Sequence, residues 1–374
     1  MLDLEITSHC NQRCKYCFVQ ALRDGAQLSL SDLKLILEEG TALGHQRVHL
    51  TGGEPLLHPQ FLELLDLIED SPYEEVVINT NGGLITPAVV QRLASLKKGV
   101  RLTISVDGFS REHDLNRGIG THRAAIRGLE RALEAGLRVS IFTVVTPKNL
   151  LSLPAFLLWL RTAYPNHENV SLIPIGDIHP DRRGDAARSE RGLNAEELLE
   201  VGALSAAGIL TGHSVTVLDF PLINLVYRAM DIPTTIFGSH CTACRGRLCV
   251  QADGTITPCH PCPEPLGTWS PGALGRAACS PLYESIRDRR FEGCRTCPDR
   301  ELCGNCRASV LSKTGHVLSN DWSCVSLKAA IRANRTHLYK RVEALVSELS
   351  RPQPGTDNHQ HLTEQKRSAP HVAV

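Results

Sequence analysis

Short runs of β-branched and aliphatic residues alternate with stretches of helical periodicity through the first half of the chain. The apolar runs predict strands near Leu2–Thr7, Arg47–Thr51, Val76–Thr80, Val100–Val106, Arg138–Val145 and Val170–Ile175. The stretches between them predict helices near Ser31–Glu39, Pro59–Ile68, Pro87–Leu96, Thr121–Ala135 and Leu153–Arg161, with Ser31 as an N-cap. Such alternation is typical of βα units around a parallel sheet. Six units with right-handed crossovers predict an α/β fold, either a partial (β/α)6 barrel of the TIM type or an open sheet.

The pattern changes beyond this predicted barrel. Ala195–Leu210 predicts an amphipathic helix, Ser214–Phe220 a strand, and Val325–Leu349 a long helix that packs back on the first domain. Asp253-Gly254 indicates a hairpin within a small cysteine-rich domain of β-hairpin and helices. The predicted organisation is a barrel at 1–180, a bridging segment at 181–240, the cysteine-rich domain at 241–330, a C-terminal helix at 331–350 and a disordered tail at 351–374.

Composition narrows the class of protein. Among 374 residues, 40 basic side chains balance 40 acidic ones, so no global field attracts nucleic acid or a membrane. The N-terminus lacks a signal-peptide pattern, and no apolar run could span a bilayer. Fourteen cysteines without an export signal favour metal or cluster ligands over disulfides, and hence a reducing, cytoplasmic location.

Three of these cysteines lie in a loop that directly follows the first predicted strand. Cys10, Cys14 and Cys17 are spaced four and then three residues apart. Three thiolates can hold three irons of a [4Fe-4S] cluster and leave the fourth iron without a protein ligand. A zinc site would require a fourth ligand, and His9 is poorly placed beside Cys10 to supply it. The loop therefore favours a cluster with one open iron.

The loop after the second predicted strand contains Gly52, Gly53 and Glu54. The glycines would let polar groups of a ligand approach the backbone, and Glu54 would add a negative charge for an ammonium group. Alone, a Gly-Gly-Glu-Pro sequence is an ordinary turn. Its position makes this turn a candidate binding site, because the active site of a βα barrel lies at the carboxyl ends of the strands.

Other candidate side chains follow later strands. Asn79 and Ser105, at the ends of the third and fourth strands, could contact a ribose or a carboxylate, although both also precede good turn formers. Arg117, in the loop after the fourth strand, offers a guanidinium suited to a carboxylate, or is a solvated surface residue. Ile175, after the sixth strand, could bring backbone against a flat base, or merely end that strand.

The C-x3-C-x2-C loop after strand one, Tyr16 before its last cysteine, and Gly-Gly-Glu-Pro after strand two strongly resemble the radical S-adenosylmethionine enzymes over residues 1–180. The resemblance implies that the three cysteines bind a [4Fe-4S] cluster whose open iron is chelated by the methionine moiety of S-adenosylmethionine. It further implies that Tyr16 lines the adenine pocket, and that Glu54 and the preceding glycines bind the amino group. Asn79 and Ser105 would contact the ribose, and Arg117 the carboxylate.

Eleven further cysteines crowd into residues 241–324. Paired C-x2-C motifs are compatible with two zinc ribbons. The segment also resembles the SPASM extension of radical S-adenosylmethionine enzymes, which carries two auxiliary [4Fe-4S] clusters. By that resemblance Cys241, Cys244, Cys259 and Cys306 bind the first, and Cys294, Cys297, Cys303 and Cys324 bind the second. The chain therefore implies three [4Fe-4S] clusters in all.

Four residues depart from this pattern or lie outside it. The motif that ends at Cys306 is one residue shorter than usual. Cys249 and Cys262 are additional cysteines that could replace Cys244 in the first auxiliary set. Cys279 is expected to be a buried thiol. His260 follows Cys259, where sulfatase-maturing relatives place an aspartate, and is a candidate acid or base.

Three functions compete at this point. The first is a radical S-adenosylmethionine enzyme that modifies a peptide or protein side chain, supplied with electrons by a partner such as flavodoxin or ferredoxin. The second applies the same chemistry to a small molecule, such as an aminoglycoside or a cofactor precursor; the start of the chain at strand one, without a leader-binding domain, favours it modestly. The third is a zinc-ribbon scaffold or nucleic-acid-binding protein. Three clusters predict about twelve irons per chain, whereas ribbons predict zinc.

Overall fold

The computed structural model describes residues 1–19, 25–175, 192–232, 241–294, 296–299, 302–303, 305–320 and 323–351. The charged segment Asp181–Asp185 and the predicted disordered tail, apart from Arg351, lie outside these ranges. In the described part of the chain, no helix is both long and apolar enough to cross a membrane.

Seven parallel strands follow one another in chain order across the sheet. They are β1 (Leu2–Thr7), β2 (Arg47–Gly52), β3 (Glu75–Thr80), β4 (Gly99–Ser105), β5 (Arg138–Val145), β6 (Asn169–Pro174) and β7 (Val215–Val217). The first six agree with the predicted strands to within one residue at each end. β7 lies inside the strand predicted near Ser214–Phe220 and extends the sheet beyond β6. The mixed α/β fold with a parallel sheet is therefore confirmed.

Helices connect these strands. They are α1 (Leu30–Ala42), α2 (Phe61–Glu69), α3 (Pro87–Ser95), α4 (Ser110–Arg117), α5 (Thr121–Glu134), α6 (Leu153–Ala163), α7 (Ala195–Leu210) and α8 (Ile223–Ala229). The prediction of Ser31 as an N-cap was wrong, because Ser29 accepts the capping hydrogen bond from the backbone N–H of Asp32. Helix α4 was not predicted, and Arg117, which was expected in a loop, is the last residue of that helix.

The cysteine-rich segment continues the same sheet. Strands β8 (Leu248–Val250), β9 (Thr255–Thr257) and β10 (Gly267–Thr268) are followed by helices α9 (Ala273–Ala278), α10 (Pro281–Arg287), α11 (Arg307–Thr314) and α12 (Ser323–Leu349). β8 pairs in parallel with β1, and β9 and β10 follow as antiparallel strands. The resulting order is β10-β9-β8-β1-β2-β3-β4-β5-β6-β7. The hairpin is thereby fixed beside the strand that leads into the first cysteine loop.

Side-chain alternation along β1 divides an apolar exterior from a polar interior. Leu2, Leu4 and Ile6 have no exposed surface, and Leu2 lies against Gly40 of α1. Their neighbours Asp3 and Glu5 are also buried but point to the opposite face. The core between sheet and helices is therefore apolar, while the inner face of the sheet presents carboxylates.

The C-terminal helix packs back on the barrel, as the sequence predicted. α12 contacts α6, α7 and α8. The Nε of Arg341 donates to Glu200 of α7 at 2.7 Å, and the hydroxyl of Tyr339 donates to the carbonyl oxygen of Ala229 at 3.0 Å. The helix thus covers the side of the sheet at which β6 and β7 lie.

Candidate functional site

The first cysteine loop is held by its own backbone at the carboxyl end of β1. The N–H of Cys17 donates to the carbonyl oxygen of Cys14 at 3.1 Å, and the N–H of Gln12 approaches the sulfur of Cys10 at 3.4 Å. Arg13 donates to the carbonyl oxygen of Cys10 at 2.8 Å. Burial raises the pKa of Cys10 to about 11 and that of Cys14 to about 12. Without a cation, these thiols are therefore neutral; iron would supply the charge that stabilises them as thiolates.

Gly52 and Gly53 bring this loop against the end of β2. A Cβ on Gly53 would lie 2.1 Å from the carbonyl oxygen of His9, and one on Gly52 would lie 2.2 Å from that of Thr7. The N–H groups of Gly53 and Glu54 donate to those oxygens of Thr7 and His9 at 2.8 and 2.7 Å. The space that the glycines leave is thus filled by the backbone that leads into the cysteine loop, rather than left open for a ligand.

Glu54 is fully buried at the same strand end. Its carboxylate accepts hydrogen bonds from the hydroxyl of Thr80 at 2.7 Å, the N–H of Asn81 at 2.8 Å and the N–H of Leu56 at 3.2 Å. Burial raises the pKa of Glu54 to about 7, against the opposing effect of those donors. A bound ammonium group would favour the charged carboxylate. Thr80 and Asn81 were not predicted as its partners, although Thr80 ends β3 and Asn81 directly follows it.

Asn79 and Ser105 lie at adjacent strand ends, as predicted. β3 and β4 pair in register, with Asn79 opposite Thr103 and Thr80 opposite Ile104. The Oδ1 atom of Asn79 is buried and has no hydrogen-bond partner within the described ranges. Such an oxygen fits a hydroxyl donor such as a ribose. Ser105, the last residue of β4, is half-buried.

Arg117 is not free for solvent, because a buried carboxylate holds it. Its Nε and Nη2 donate to the two oxygens of Asp107 at 2.8 and 3.0 Å. Tyr16 also donates its hydroxyl to Asp107, and the guanidinium lies 5.4 Å from the centroid of the Tyr16 ring. Asp107 was not among the predicted site residues, yet it joins the two predicted cofactor contacts.

Ile175 follows β6 at the edge of a cleft of about 180 Å³. Its N–H donates to the carbonyl oxygen of Val145 at 2.9 Å, and its own carbonyl oxygen accepts from Leu193 at 3.4 Å. Phe220 and Cys306 line the same cleft. The backbone of Ile175 is thus engaged by neighbouring segments, and the residue lines the cleft between barrel and cysteine-rich segment.

Four cysteines line a single cavity in the cysteine-rich segment. They are Cys294, Cys297, Cys303 and Cys324. The N–H of Asn305 approaches the sulfur of Cys303 at 3.4 Å, and the ammonium of Lys328 approaches that of Cys297 at 3.9 Å. These are the four that the resemblance assigned to the second auxiliary cluster, and the structure brings them together around one cavity.

The other auxiliary cysteines gather around Cys259. Burial raises the pKa of Cys259, and the neighbouring thiols of Cys262, Cys241 and Cys306 raise it further. Cys244 is buried in the same group, where Cys262 and Cys241 raise its pKa after burial itself. These five cysteines therefore form one group, and Cys262 is as good a candidate as Cys244 for a ligand of the first auxiliary cluster.

Two cysteines lie apart from both groups. Cys249 is buried on β8, and after burial the residues that most raise its pKa are Asp3 and Glu5 of β1 rather than other cysteines. It is therefore a poor replacement for Cys244. Cys279 is exposed, so its prediction as a buried thiol was wrong. This residue is the C-cap of α9.

Zinc would require its ligands about 2 Å from a single point. Across the residues that the model describes, no three His, Cys, Asp or Glu side chains are arranged around the position of one metal ion. The zinc-ribbon alternative therefore has no preformed site in that part of the chain.

His260 connects the hairpin to the barrel interior. Its Nε2 lies 3.0 Å from a carboxylate oxygen of Glu5, and its ring meets that of Phe18 edge-on at 5.0 Å. Deeper in the barrel, Arg247 donates to Asp3 at 2.5 Å, and His49 lies 2.9 Å from the same carboxylate. Hairpin side chains therefore meet β1 carboxylates directly beneath the cysteine loop.

Comparison with known proteins identifies the family. The Radical SAM superfamily matches residues 4–159. Mycofactocin maturase MftC of Mycobacterium ulcerans is 30% identical over 327 residues, covering 82% of this chain and 83% of the maturase. MftC of Mycobacterium tuberculosis is 31% identical over 228 residues, covering 56% of this chain and only 58% of that protein. A solved structure of anSMEcpe with bound AdoMet and a peptide matches with a TM-score of 0.69 at 20% identity, covering 92% of this chain and 99% of the other.

The last of these similarities supports the fold, and the first two carry the assignment. The family match and the similarity to MftC support a [4Fe-4S] cluster and S-adenosylmethionine as cofactors, together with the cysteine loop, the Gly-Gly-Glu-Pro turn and the SPASM-like cysteine-rich segment. The chain belongs to the Radical SAM superfamily.

Proposed function

We propose that this protein reductively cleaves S-adenosylmethionine and uses the resulting radical to modify a peptide or protein side chain. The observation that carries the proposal is the attachment of the cysteine loop to Glu54. The backbone bonds of Gly53 and Glu54 to Thr7 and His9 hold a loop with three cysteines beside a buried carboxylate. A cofactor with both an ammonium group and a metal-chelating carboxylate suits that combination.

The cysteine loop would hold one [4Fe-4S] cluster, and the two auxiliary sets would hold two more. When bound, the first cluster and S-adenosylmethionine together supply a carbon radical that can remove a hydrogen atom from a substrate. Glu54 would bind the amino group, and Asn79 and Ser105 the ribose. Tyr16 and Arg117 would contact the adenine and carboxylate, in positions fixed by their shared partner Asp107. A flavodoxin or ferredoxin would supply the electron.

A peptide substrate is supported by two lines of comparison. MftC is named a maturase, and the anSMEcpe structure contains a peptide. The cleft beside Ile175 and Phe220 lies between the barrel and the cysteine-rich segment, where a peptide side chain could enter. A small molecule is the alternative that the experiment below must separate.

His260 is proposed as the acid or base that acts on the substrate. Its contact with Glu5 at 3.0 Å fixes the ring, since a carboxylate orients the imidazole that donates to it. The edge-on contact with Phe18 holds the same ring close to the cysteine loop. His260→Gln should retain cleavage of S-adenosylmethionine while product formation falls at least 100-fold. Equal loss of both would remove His260 from this role.

The test begins with anaerobically reconstituted protein, dithionite and S-adenosylmethionine. About twelve irons and sulfides per chain and formation of 5′-deoxyadenosine are expected. Cys14→Ala should abolish the 5′-deoxyadenosine, whereas Cys279→Ala, which removes an exposed cysteine outside all three sets, should leave it unchanged. Zinc without iron, or retained cleavage in Cys14→Ala, would refute the proposal.

The substrate class is tested with any short peptide that a neighbouring gene is found to encode. A synthetic peptide of that kind, incubated with the active enzyme, should change mass, and 5′-deoxyadenosine should form in proportion to it. Modification of an aminoglycoside or a cofactor precursor in place of every such peptide would establish the small-molecule alternative.

A further inference from the structure

Arg307 is a fully buried cation in the cysteine-rich segment. None of its surface is exposed, although it is among the largest side chains in the protein. Its Nη1 donates to the carbonyl oxygens of Val317 and Ser319 at 3.0 and 3.1 Å. Its guanidinium carbon lies 3.7 Å from the centroid of the Phe291 ring. These contacts hold the charge at one place, and arginine keeps that charge at any pH at which the protein is folded.

The guanidinium of Arg307 lies between the two auxiliary cysteine sets. Arg307 directly follows Cys306, which belongs to the first set. The Phe291 ring beneath its guanidinium lines the cavity of the second set. Burial lowers the pKa of Arg307, and thiols of both sets oppose this effect; they are Cys241, Cys306, Cys294 and Cys303. One fixed cation therefore acts on both sets at once.

We propose that Arg307 raises the reduction potentials of both auxiliary clusters together. The inference rests on the proposed function, which assigns a cluster to each set. Reduction adds one negative charge to a cluster, so a fixed positive charge nearby favours the reduced state. At an effective dielectric constant of about 20, a unit charge within about 10 Å shifts a one-electron equilibrium by roughly tenfold. A tenfold shift corresponds to about 59 mV for one electron.

A second buried arginine serves as the matched control. The Nη1 of Arg289 donates to the carbonyl oxygen of Cys303 at 3.3 Å, and its side chain lines the cavity of the second set. This contact is with a cysteine of the second set, whereas Arg307 also directly follows Cys306 of the first set. Removal of the Arg289 charge should therefore affect the second cluster alone, whereas removal of the Arg307 charge should affect both.

The experiment is an anaerobic redox titration of the holoenzyme followed by electron paramagnetic resonance. The signal that changes when S-adenosylmethionine is added belongs to the Cys10 loop, and the other two belong to the auxiliary clusters. Arg307→Gln, which keeps an amide donor for Val317 or Ser319, should make reduction of both auxiliary clusters about tenfold less favourable. Arg289→Gln should shift one of them. Arg307→Lys, which keeps the charge, should restore both potentials.

The outcomes separate this inference from the proposed function. Wild-type protein with far fewer than twelve irons per chain would refute the three-cluster assignment and the inference with it. Full iron content with unchanged potentials in Arg307→Gln, or a shift of only one cluster, would refute the inference alone. If Arg307→Gln does not retain its clusters, the Arg307→Lys variant tests the inference instead. Wild-type iron content and wild-type potentials in Arg307→Lys support the role of charge. Loss of a cluster, or a shift of either auxiliary potential, in this variant overturns it.

Discussion

Gly53 should be highly sensitive to substitution. In Gly53→Ala, the new Cβ would lie 2.1 Å from the carbonyl oxygen of His9 and 2.6 Å from that of Ser8. Ordinary contact begins at about 3.5 Å, so the backbone must retreat by more than 1 Å. Both atoms belong to backbone just before Cys10, which cannot rotate away as a side chain would.

The retreat also breaks the bonds that attach the loop to β2. The N–H groups of Gly53 and Glu54 donate at 2.8 and 2.7 Å, and each such bond contributes about 1 kcal/mol. We expect Gly53→Ala to lose about 2 kcal/mol of stability. A displacement of about 1 Å at a reacting centre costs roughly 100-fold in rate, so 5′-deoxyadenosine formation should fall by that factor.

The assay measures 5′-deoxyadenosine and iron per chain in the wild type, Gly53→Ala and a control glycine variant. Gly275 of α9 has nothing within 4 Å of its ideal Cβ. Gly275→Ala should therefore keep full activity and gain up to about 1 kcal/mol of helix stability. Gly53→Ala with near wild-type cleavage would refute the argument that this glycine positions the cysteine loop.

Three further predictions concern buried charges. Arg247→Met should lower the free energy of unfolding, measured by urea denaturation, by about 3 kcal/mol, because it leaves the Asp3 carboxylate buried without its cation. Asp3→Asn in that background should recover most of the loss. Equal stability of the single and double variants would contradict this. The Arg247 guanidinium holds the pKa of Asp3 well below its usual value despite burial, so the stability from this pair is present above about pH 4 and is lost as the pH falls further. Because burial raises the pKa of Glu54 to about 7, S-adenosylmethionine should bind more tightly at pH 8 than at pH 6 in equilibrium dialysis. Glu54→Gln should abolish this difference. Equal wild-type affinity at both pH values would exclude the Glu54 carboxylate as the ligand of the ammonium group. Asp107→Asn should weaken the same binding at least tenfold, because Arg117 loses its charged partner, and unchanged affinity would show that this pair does not shape the cofactor pocket.

The sequence by itself determined the strands of the barrel and the loop that follows the first of them. Apolar runs of five to eight residues separated by helical periodicity have few alternatives, and parallel strands bring their carboxyl ends to one edge. For the same reason the positions of Glu54, Asn79 and Ser105 at adjacent strand ends could be predicted without knowledge of any contact. Helix α4 was missed because its sequence, Ser110–Arg117, is too polar to show an apolar face.

Only the tertiary structure decided which side chains meet. Asp107 looks like a turn residue along the chain, yet it holds Arg117 and Tyr16, because α4 and the cysteine loop return to the same strand end. The grouping of Cys262 with Cys259, and the location of Arg307 between two cysteine sets, likewise depend on segments distant in sequence. Local periodicity specifies elements through short-range sterics and hydrogen bonding, whereas a charge or thiol acquires its partners only when those elements pack.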